Sequence, residues 1–185
     1  LTRRAPPGVP NSPRPSIGRG ITPFVSIHVV ILAGGAGTRF WPAGRHDRPK
    51  QLLPIASEHS MLRETLERCA PLAPAERTWI VTNDRQATDT QAEAPELPAA
   101  QILAEPHMRN TAAAIALAAA RIARVDSDAI MVVLPADHVI RPPELFARTF
   151  EAAAQRARDA GTLITIGIEP SGPATGYGYI ESGER

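Results

Sequence analysis

From residue 27 onward, short apolar runs alternate with stretches of helical periodicity. IHVVILA (27–33) is β-branched and apolar throughout, which predicts a strand buried on both faces. It runs directly into Gly34-Gly35-Ala36-Gly37. MLRETLERCAPL (61–72) has apolar residues at helical spacing, with Ser60 placed as its N-cap. TWIVT (78–82), QILAE (101–105) and AIMVVLP (129–135) read as further strands. TAAAIALAAARIAR (111–124) is an alanine-rich helix with Thr111 near its start. Pro142-Pro143-Glu144 opens a helix of about 17 residues that stops at Gly161, with proline at the start and glycine at the end. TLITIGI (162–168) predicts one more strand, and the segment after it, with Gly176 and Gly178, is rich in turn residues.

Strands that alternate with helices and are apolar on both faces predict an α/β fold. Its sheet is doubly wound and mostly parallel, with helices on both faces. Such sheets bind ligands beyond the carboxyl ends of their strands. Three polar clusters fall in those places: 34–50 after the first strand, 105–111 after another, and 135–138 after the MVVL run.

Composition bounds the picture further. The 185 residues suffice for one domain, and with 43% hydrophobic but only 4% aromatic residues the core must be built from Ala, Val, Ile and Leu. No apolar run is long enough to cross a membrane. The single cysteine, Cys69, excludes an internal disulfide framework and a cysteine zinc site; its place on an amphipathic helix marks a core residue. The five histidines show no close ligand spacing, and the whole suits a reducing, cytoplasmic setting. Residues 1–26 hold six prolines, four arginines and no acid, and read as a disordered tail ahead of a domain over 27–185. The body beyond the tail carries 16 cations against 19 acids. A slightly acidic body argues against a nucleic-acid-binding domain.

The chemistry concentrates in a few residues. Gly34, Gly35 and Gly37 after a buried strand form either a tight structural turn or a backbone cradle for an anion. The turn is not a phosphate-binding G-x-x-x-x-G-K-[ST] loop, and Phe40 stands where the dinucleotide fingerprint needs a third glycine. Arg39 and Lys50 flank a loop stiffened by Pro42 and Pro49, and could clamp a polyphosphate. Lys50 is the only lysine in a chain with nineteen arginines. A solvated surface charge is the competing reading for both cations. Asp137, directly after a buried strand, is a candidate Mg²⁺ ligand, and no second carboxylate is obvious beside it. His138 is either a capping residue or a ligand contact. Glu105, Arg109, Asn110 and Thr111 stand at the start of the alanine-rich helix, as helix caps or as anion-facing groups. Gly176 and Gly178 around Tyr177 form a hairpin turn or a loop that a sugar could approach. Trp41 and Trp79 read as packing residues.

LAGGAGTRFWP (32–42), RPKQLLPI (48–55), EPHMRNTAAAIALAA (105–119), LPADHVI (134–140) and GIEPSGPATGYGYI (167–180) together resemble the mannose-1-phosphate guanylyltransferases. That family is a branch of the sugar-1-phosphate nucleotidyltransferases. The resemblance covers residues 28 to about 181. It implies a Rossmann-like nucleotide-diphospho-sugar transferase fold and conversion of GTP and mannose 1-phosphate to GDP-mannose and pyrophosphate. It also implies Mg²⁺ as cofactor, no nucleic-acid or membrane partner, and a homodimer as one permitted assembly. Carried over residue by residue, Gly34, Gly35, Gly37 and Thr38 cradle the nucleotide. Arg39 stabilises the leaving polyphosphate, and Lys50 neutralises charge at the attacked phosphate. Asp137 holds the metal. Glu105, Arg109, Asn110 and Thr111 line the nucleoside side, and Gly176 with Tyr177 approaches the mannose.

Two departures stand out. Trp41-Pro42-Ala43-Gly44-Arg45 replaces the family's WPLSR, a small change. The family's catalytic domain also continues past the point matched by Arg185, supplying more of the sugar site and a second acidic metal ligand. The chain is therefore expected to be the N-terminal part of such an enzyme, with a sheet edge or face left open. A sister branch with another nucleotide and sugar, and a non-catalytic paralogue that only binds nucleotide sugars, are the alternatives.

Overall fold

The computed structural model describes residues 25–35, 49–55, 57–176, 178–181 and 183. Four strands form one parallel sheet: β1 (Ile27–Leu32), β2 (Thr78–Asn83), β3 (Ile102–Glu105) and β4 (Ile130–Pro135), in the order β3-β2-β1-β4. Four helices connect them or follow: α1 (Met61–Cys69), α2 (Ala87–Glu93), α3 (Asn110–Ile122) and α4 (Pro143–Ala160). The chain winds outward from β1 through β2 to β3, then returns across the sheet to lay β4 on the other side of β1. That reversal puts a topological switch point between the carboxyl ends of β1 and β4, where open α/β sheets hold ligands.

The pleat sorts the core into two layers. Val29, Ile31 and Ile80 face one side, against Leu62, Leu66 and Cys69 of α1 and Phe146 and Ala154 of α4. Val30, Trp79, Val81 and Leu103 face the other, against Ala114, Ala118 and Ile122 of α3. Helices on both faces explain why β1 and β2 could be apolar without alternation. Burial also pushes the Cys69 thiol up to about 12, so it is a packing group rather than a nucleophile.

Element boundaries follow the sequence pattern closely. Ser60 caps α1, its hydroxyl accepting from the Arg63 backbone N–H at 3.1 Å. α4 starts with proline at its first residue and stops at Gly161, whose φ of 61° is the left-handed conformation that glycine adopts without strain. α2 was not legible, because ATDTQAE has no apolar stripe; only Thr90 is buried, with its hydroxyl 3.4 Å from that of Thr82. Two expectations are corrected. Residues 162–168 form no strand and join no ladder among the described residues, with Ile168 82% exposed. A strand needs a neighbour for its backbone groups, and no described segment supplies one. Neither Asn110 nor Thr111 caps α3 with a side-chain hydrogen bond; Asn110 instead takes a φ of 64° at the helix start. Of the tail expected over 1–26, residues 1–24 lie outside the described residues, and Ser26 is already tied into the domain through a 2.6 Å hydrogen bond to Asp126.

That bond belongs to a partly buried polar cluster at the amino ends of the strands. Trp79 Nε1 can only donate, so at 3.0 Å it makes His28 Nδ1 an acceptor and places the imidazole proton on Nε2, 3.4 Å from Asp126 Oδ2. Burial lowers the His28 pKa below its ordinary value, against the opposing pull of Asp126; Arg77 adds to the lowering. A histidine with a depressed folded pKa is neutral in the native state and takes up its proton more readily when unfolded. Stability is then complete above about pH 6.5 and falls as the pH drops from there toward the folded value. The urea midpoint should decline between pH 7.5 and 5.5, and a His28→Phe variant should show a flatter profile over that range. Equal slopes would remove His28 from the acid response.

Candidate active site

The site forms where β1 and β4 end. β1 delivers Ala33, Gly34 and Gly35. The Ala33 N–H donates to the Val81 carbonyl at 2.8 Å, and the Ala136 N–H donates to the Leu32 carbonyl at 3.0 Å, so the turns after both strands continue the ladder before diverging. Gly34 and Gly35 lack a positive φ, and among the described residues a Cβ would meet only ordinary contacts at Gly34 and nothing at Gly35. A strained turn therefore does not account for these two glycines. Among the described residues nothing stands in front of Gly35, as close approach of a ligand to the backbone requires.

Lys50 lies on a short 3-10 turn, Lys50–Leu52, and reaches across to the end of β4. Its Nζ donates to Asp137 Oδ2 at 2.8 Å. Burial works to raise the Asp137 pKa, but the hydrogen bond and charge of Lys50, with a smaller contribution from His138, hold it below the usual carboxylate value. Asp137 is thus ionised at neutral pH. Sequence placed these two residues 87 positions apart; the switch point puts them in contact.

Several residues that sequence reasoning passed over hold this arrangement. Gln51 is buried, and its amide nitrogen donates to the Ala33 carbonyl and, at 2.9 Å, to Gln86 Oε1. The turn carrying Lys50 is thereby fastened to the turn after β1. Asn83 donates to the Gly34 carbonyl at 3.3 Å and accepts from the backbone N–H groups of Arg85 and Gln86. On the β4 side, the Arg68 guanidinium donates to Thr65 Oγ1 and to the His138 carbonyl, both at 3.0 Å, and lies over the Phe146 ring. Gln51 lies within the RPKQLLPI motif; Asn83, Gln86 and Arg68 carried no sequence signal, because the contacts that tie them to the site, with the Gly34 carbonyl, the Gln51 side chain and the His138 carbonyl, are made far along the chain.

Gly35, Lys50, Thr111 and Asp137 line one wide cavity at the rim. Glu105, at the end of β3, is 9% exposed and has an oxygen 3.7 Å from where a Gly34 side chain would begin, which brings it to the same rim. Arg109 and Asn110 are exposed at the start of α3. His138 is half exposed, with Nε2 3.9 Å from Asp137 Oδ1. Gly176 does not join them: it lies in open space in the segment that follows residue 168. That segment is a loop rather than a hairpin, gathered around the Tyr179 hydroxyl, which accepts from the Ala174 N–H at 2.7 Å. Gly37, Thr38, Arg39, Trp41 and Tyr177 lie outside the described residues. Among the described residues, no group of three or more His, Cys, Asp or Glu side chains could enclose a metal ion, and no helix is long and apolar enough to cross a membrane.

A glycine-rich turn, a lysine and a carboxylate meeting at the switch point of a parallel sheet suit binding of a nucleotide polyphosphate. The model of the nucleotidyl transferase family matches residues 28–185. The chain belongs to that family. This transferase chain is 46% identical over 157 residues to the xanthan biosynthesis protein XanB of Xanthomonas campestris, and 42% identical over 156 residues to a mannose-1-phosphate guanylyltransferase of Escherichia coli. Each alignment covers 83% of the chain and 33% of the relative. The chain thus spans about a third of the length of the curated relatives it matches. A crystal structure described as mannose-1-phosphate geranyltransferase from Thermus thermophilus superposes with a TM-score of 0.67 at 34% identity, over 73% of this chain and 39% of that one. The doubly wound, parallel architecture expected from the sequence is the one shared with this neighbour.

Proposed function

We propose that the protein transfers a guanylyl group from GTP to mannose 1-phosphate, giving GDP-mannose and pyrophosphate. The observation that carries this reading is the Lys50–Asp137 contact at 2.8 Å beside the Gly34–Gly35 turn. A phosphate oxygen of mannose 1-phosphate attacks the α-phosphorus of GTP in line; a new P–O bond forms as the bond to the β-phosphate oxygen breaks, and pyrophosphate leaves with the electron pair. No protein nucleophile is required, so the protein positions the reactants and offsets charge. Gly34 and Gly35 admit the triphosphate to the backbone. Lys50 shifts its hydrogen bonds from Asp137 to the attacked phosphate, where a compact cation matches the charge that develops. Glu105 and Thr111 face the nucleoside side, with Arg109 and Asn110 at the α3 start, and Arg39 and Thr38 act on the polyphosphate. Gly176 and Tyr177 belong to the mannose side.

The donor set fits Mg²⁺ in a limited way: Asp137 would hold it as a single ionised carboxylate, which suffices where substrate phosphates and water supply the remaining oxygens. When bound, the ion would neutralise phosphate charge.

The choice of GTP and mannose rests on the names of the relatives. Pyrophosphate release from GTP should therefore require mannose 1-phosphate, and UTP or dTTP with glucose 1-phosphate should give little. Preference for either of those pairs would move the protein to a sister branch. Binding of GDP-mannose without turnover in a chain extended to the relatives' length would make it a binding protein instead. Replacing Asp137 with Asn should lower the rate at ordinary Mg²⁺ by about 100-fold. Full activity at low Mg²⁺ would take Asp137 out of the metal site.

A further inference from the structure

Arg68 places a cation where the fold alone would be better served by an apolar side chain. It lies on the buried face of α1 with Met61, Leu62, Thr65, Leu66 and Cys69, is 8% exposed, and its guanidinium carbon stands 5.4 Å from the centre of the Phe146 ring. Among the described residues no carboxylate comes within ion-pair distance of it, and its Nε–H is buried without an acceptor. Glu64, one turn back on the same helix, acts on it only at longer range. A buried cation without a close counter-charge is costly, and the ring face beneath it offsets only part of that.

What the guanidinium does reach is the turn that carries Asp137. One of its nitrogens donates to the His138 carbonyl and to the Thr65 hydroxyl, both at 3.0 Å. The fully buried Thr65 hydroxyl lies 2.9 Å from the Met61 carbonyl and 3.4 Å from the Ala136 carbonyl, with one proton to share between them. The two carbonyls that bracket Asp137, one residue before it and one after, are thus held by two side chains three positions apart on α1. Little else holds them. After the Ala136 N–H, which donates to Leu32, no other backbone–backbone hydrogen bond reaches residues 136–141 among the described residues.

We propose that Thr65 and Arg68 are positioning residues for Asp137. Through the carbonyls of Ala136 and His138 they fix its turn, so that the carboxylate stands 2.8 Å from the Lys50 ammonium and faces the metal and phosphate of the proposed reaction. The part that concerns metal and phosphate rests on the function proposed above; the part that concerns Lys50 does not. A guanidinium suits the task because its planar fork holds several N–H donors in fixed directions and stays charged. Its hydrogen bonds are stronger than those of a neutral amide in the same place.

Lys50 is the only lysine in the chain, so lysine labelled with ¹⁵N at Nζ gives a single side-chain reporter of the contact with Asp137. In this chain, without substrate or metal, the Nζ order parameter should fall by about half in Arg68→Met, and less in Thr65→Val. Asp137→Asn, which removes the charged partner outright, sets the scale. Arg68→Met keeps an unbranched side chain over Phe146 and removes a buried charge, so its melting temperature should be no lower than that of the unsubstituted chain. Arg68→Lys restores a donor for one carbonyl and should recover part of the order. In a form extended to the relatives' length, Arg68→Met should lower kcat about tenfold and raise the Mg²⁺ concentration for half-maximal rate by a similar factor, with KM for GTP changed less than about twofold. An unchanged Lys50 signal in Arg68→Met, or one already mobile in the unsubstituted chain, would overturn the proposal. So would a loss of order that comes with a lower melting temperature in both Arg68→Met and Thr65→Val, which would make the pair part of the core only. If the extended protein releases no pyrophosphate from any nucleotide, the proposed function fails, while the Nζ signal still decides the positioning.

Discussion

Replacing Lys50 with alanine is expected to lower kcat/KM for pyrophosphate release by about 100-fold, roughly 2.7 kcal/mol, in a form extended to the relatives' length. Arginine at the same position is expected to lose about tenfold, roughly 1.4 kcal/mol, because its planar fork is larger than the ammonium that now reaches Asp137 at 2.8 Å. The thermal midpoint should move little in either variant. The Lys50 side chain is mostly buried but Asp137 is 39% exposed, so water can solvate the carboxylate left behind, and ion pairs of this kind contribute about 0–1 kcal/mol. A rate loss without a stability loss distinguishes a charge needed at the reacting phosphate from one that holds the fold. Unchanged kinetics in Lys50→Arg would show that any cation serves there, and unchanged kinetics in Lys50→Ala would remove the residue from the reaction.

The opposite pattern is expected for Ile31→Ala. Ile31 is fully buried in the central strand, in register with Ile80 on β2 and Leu134 on β4. Truncation there leaves a cavity between the sheet and the helices α1 and α4, with a cost of about 2–5 kcal/mol. Against a total of about 5–15 kcal/mol, that should bring the denaturant midpoint down sharply at constant slope. A loss below about 1 kcal/mol would mean that this layer repacks freely, at odds with native packing density. Since Ile31 stands two residues before Ala33, whose carbonyl receives Gln51, a destabilised β1 would also loosen the turn that carries Lys50. Activity at temperatures well below the midpoint should nonetheless persist, which separates this variant from Lys50→Ala.

The strand-helix alternation and the apolar composition of β1, β2 and β4 are properties of local sequence, and they sufficed for the fold class. The same holds for the termini of α1 and α4, because Ser60, Pro143 and Gly161 act on backbone groups within one turn. Gly35 and Asp137 were also legible as candidates, since each follows a buried strand, and Lys50 was legible as the only lysine among nineteen arginines, in a loop stiffened by prolines. What local sequence could not specify is which strands adjoin. The contact of Lys50 with Asp137 exists only because β4 returns to the far side of β1, a consequence of sheet order. The amide clamp of Gln51 on Ala33 and Gln86, and the seat of Arg68 on His138, likewise depend on long-range placement. The reading of 162–168 as a strand shows the same limit from the other side. Its composition is that of a strand, but strand formation is a pairing between two segments, and no described segment pairs with it here. Propensity resides in the residues themselves; the partners are decided by the tertiary structure, because hydrogen bonds and buried contacts are made across the chain rather than along it.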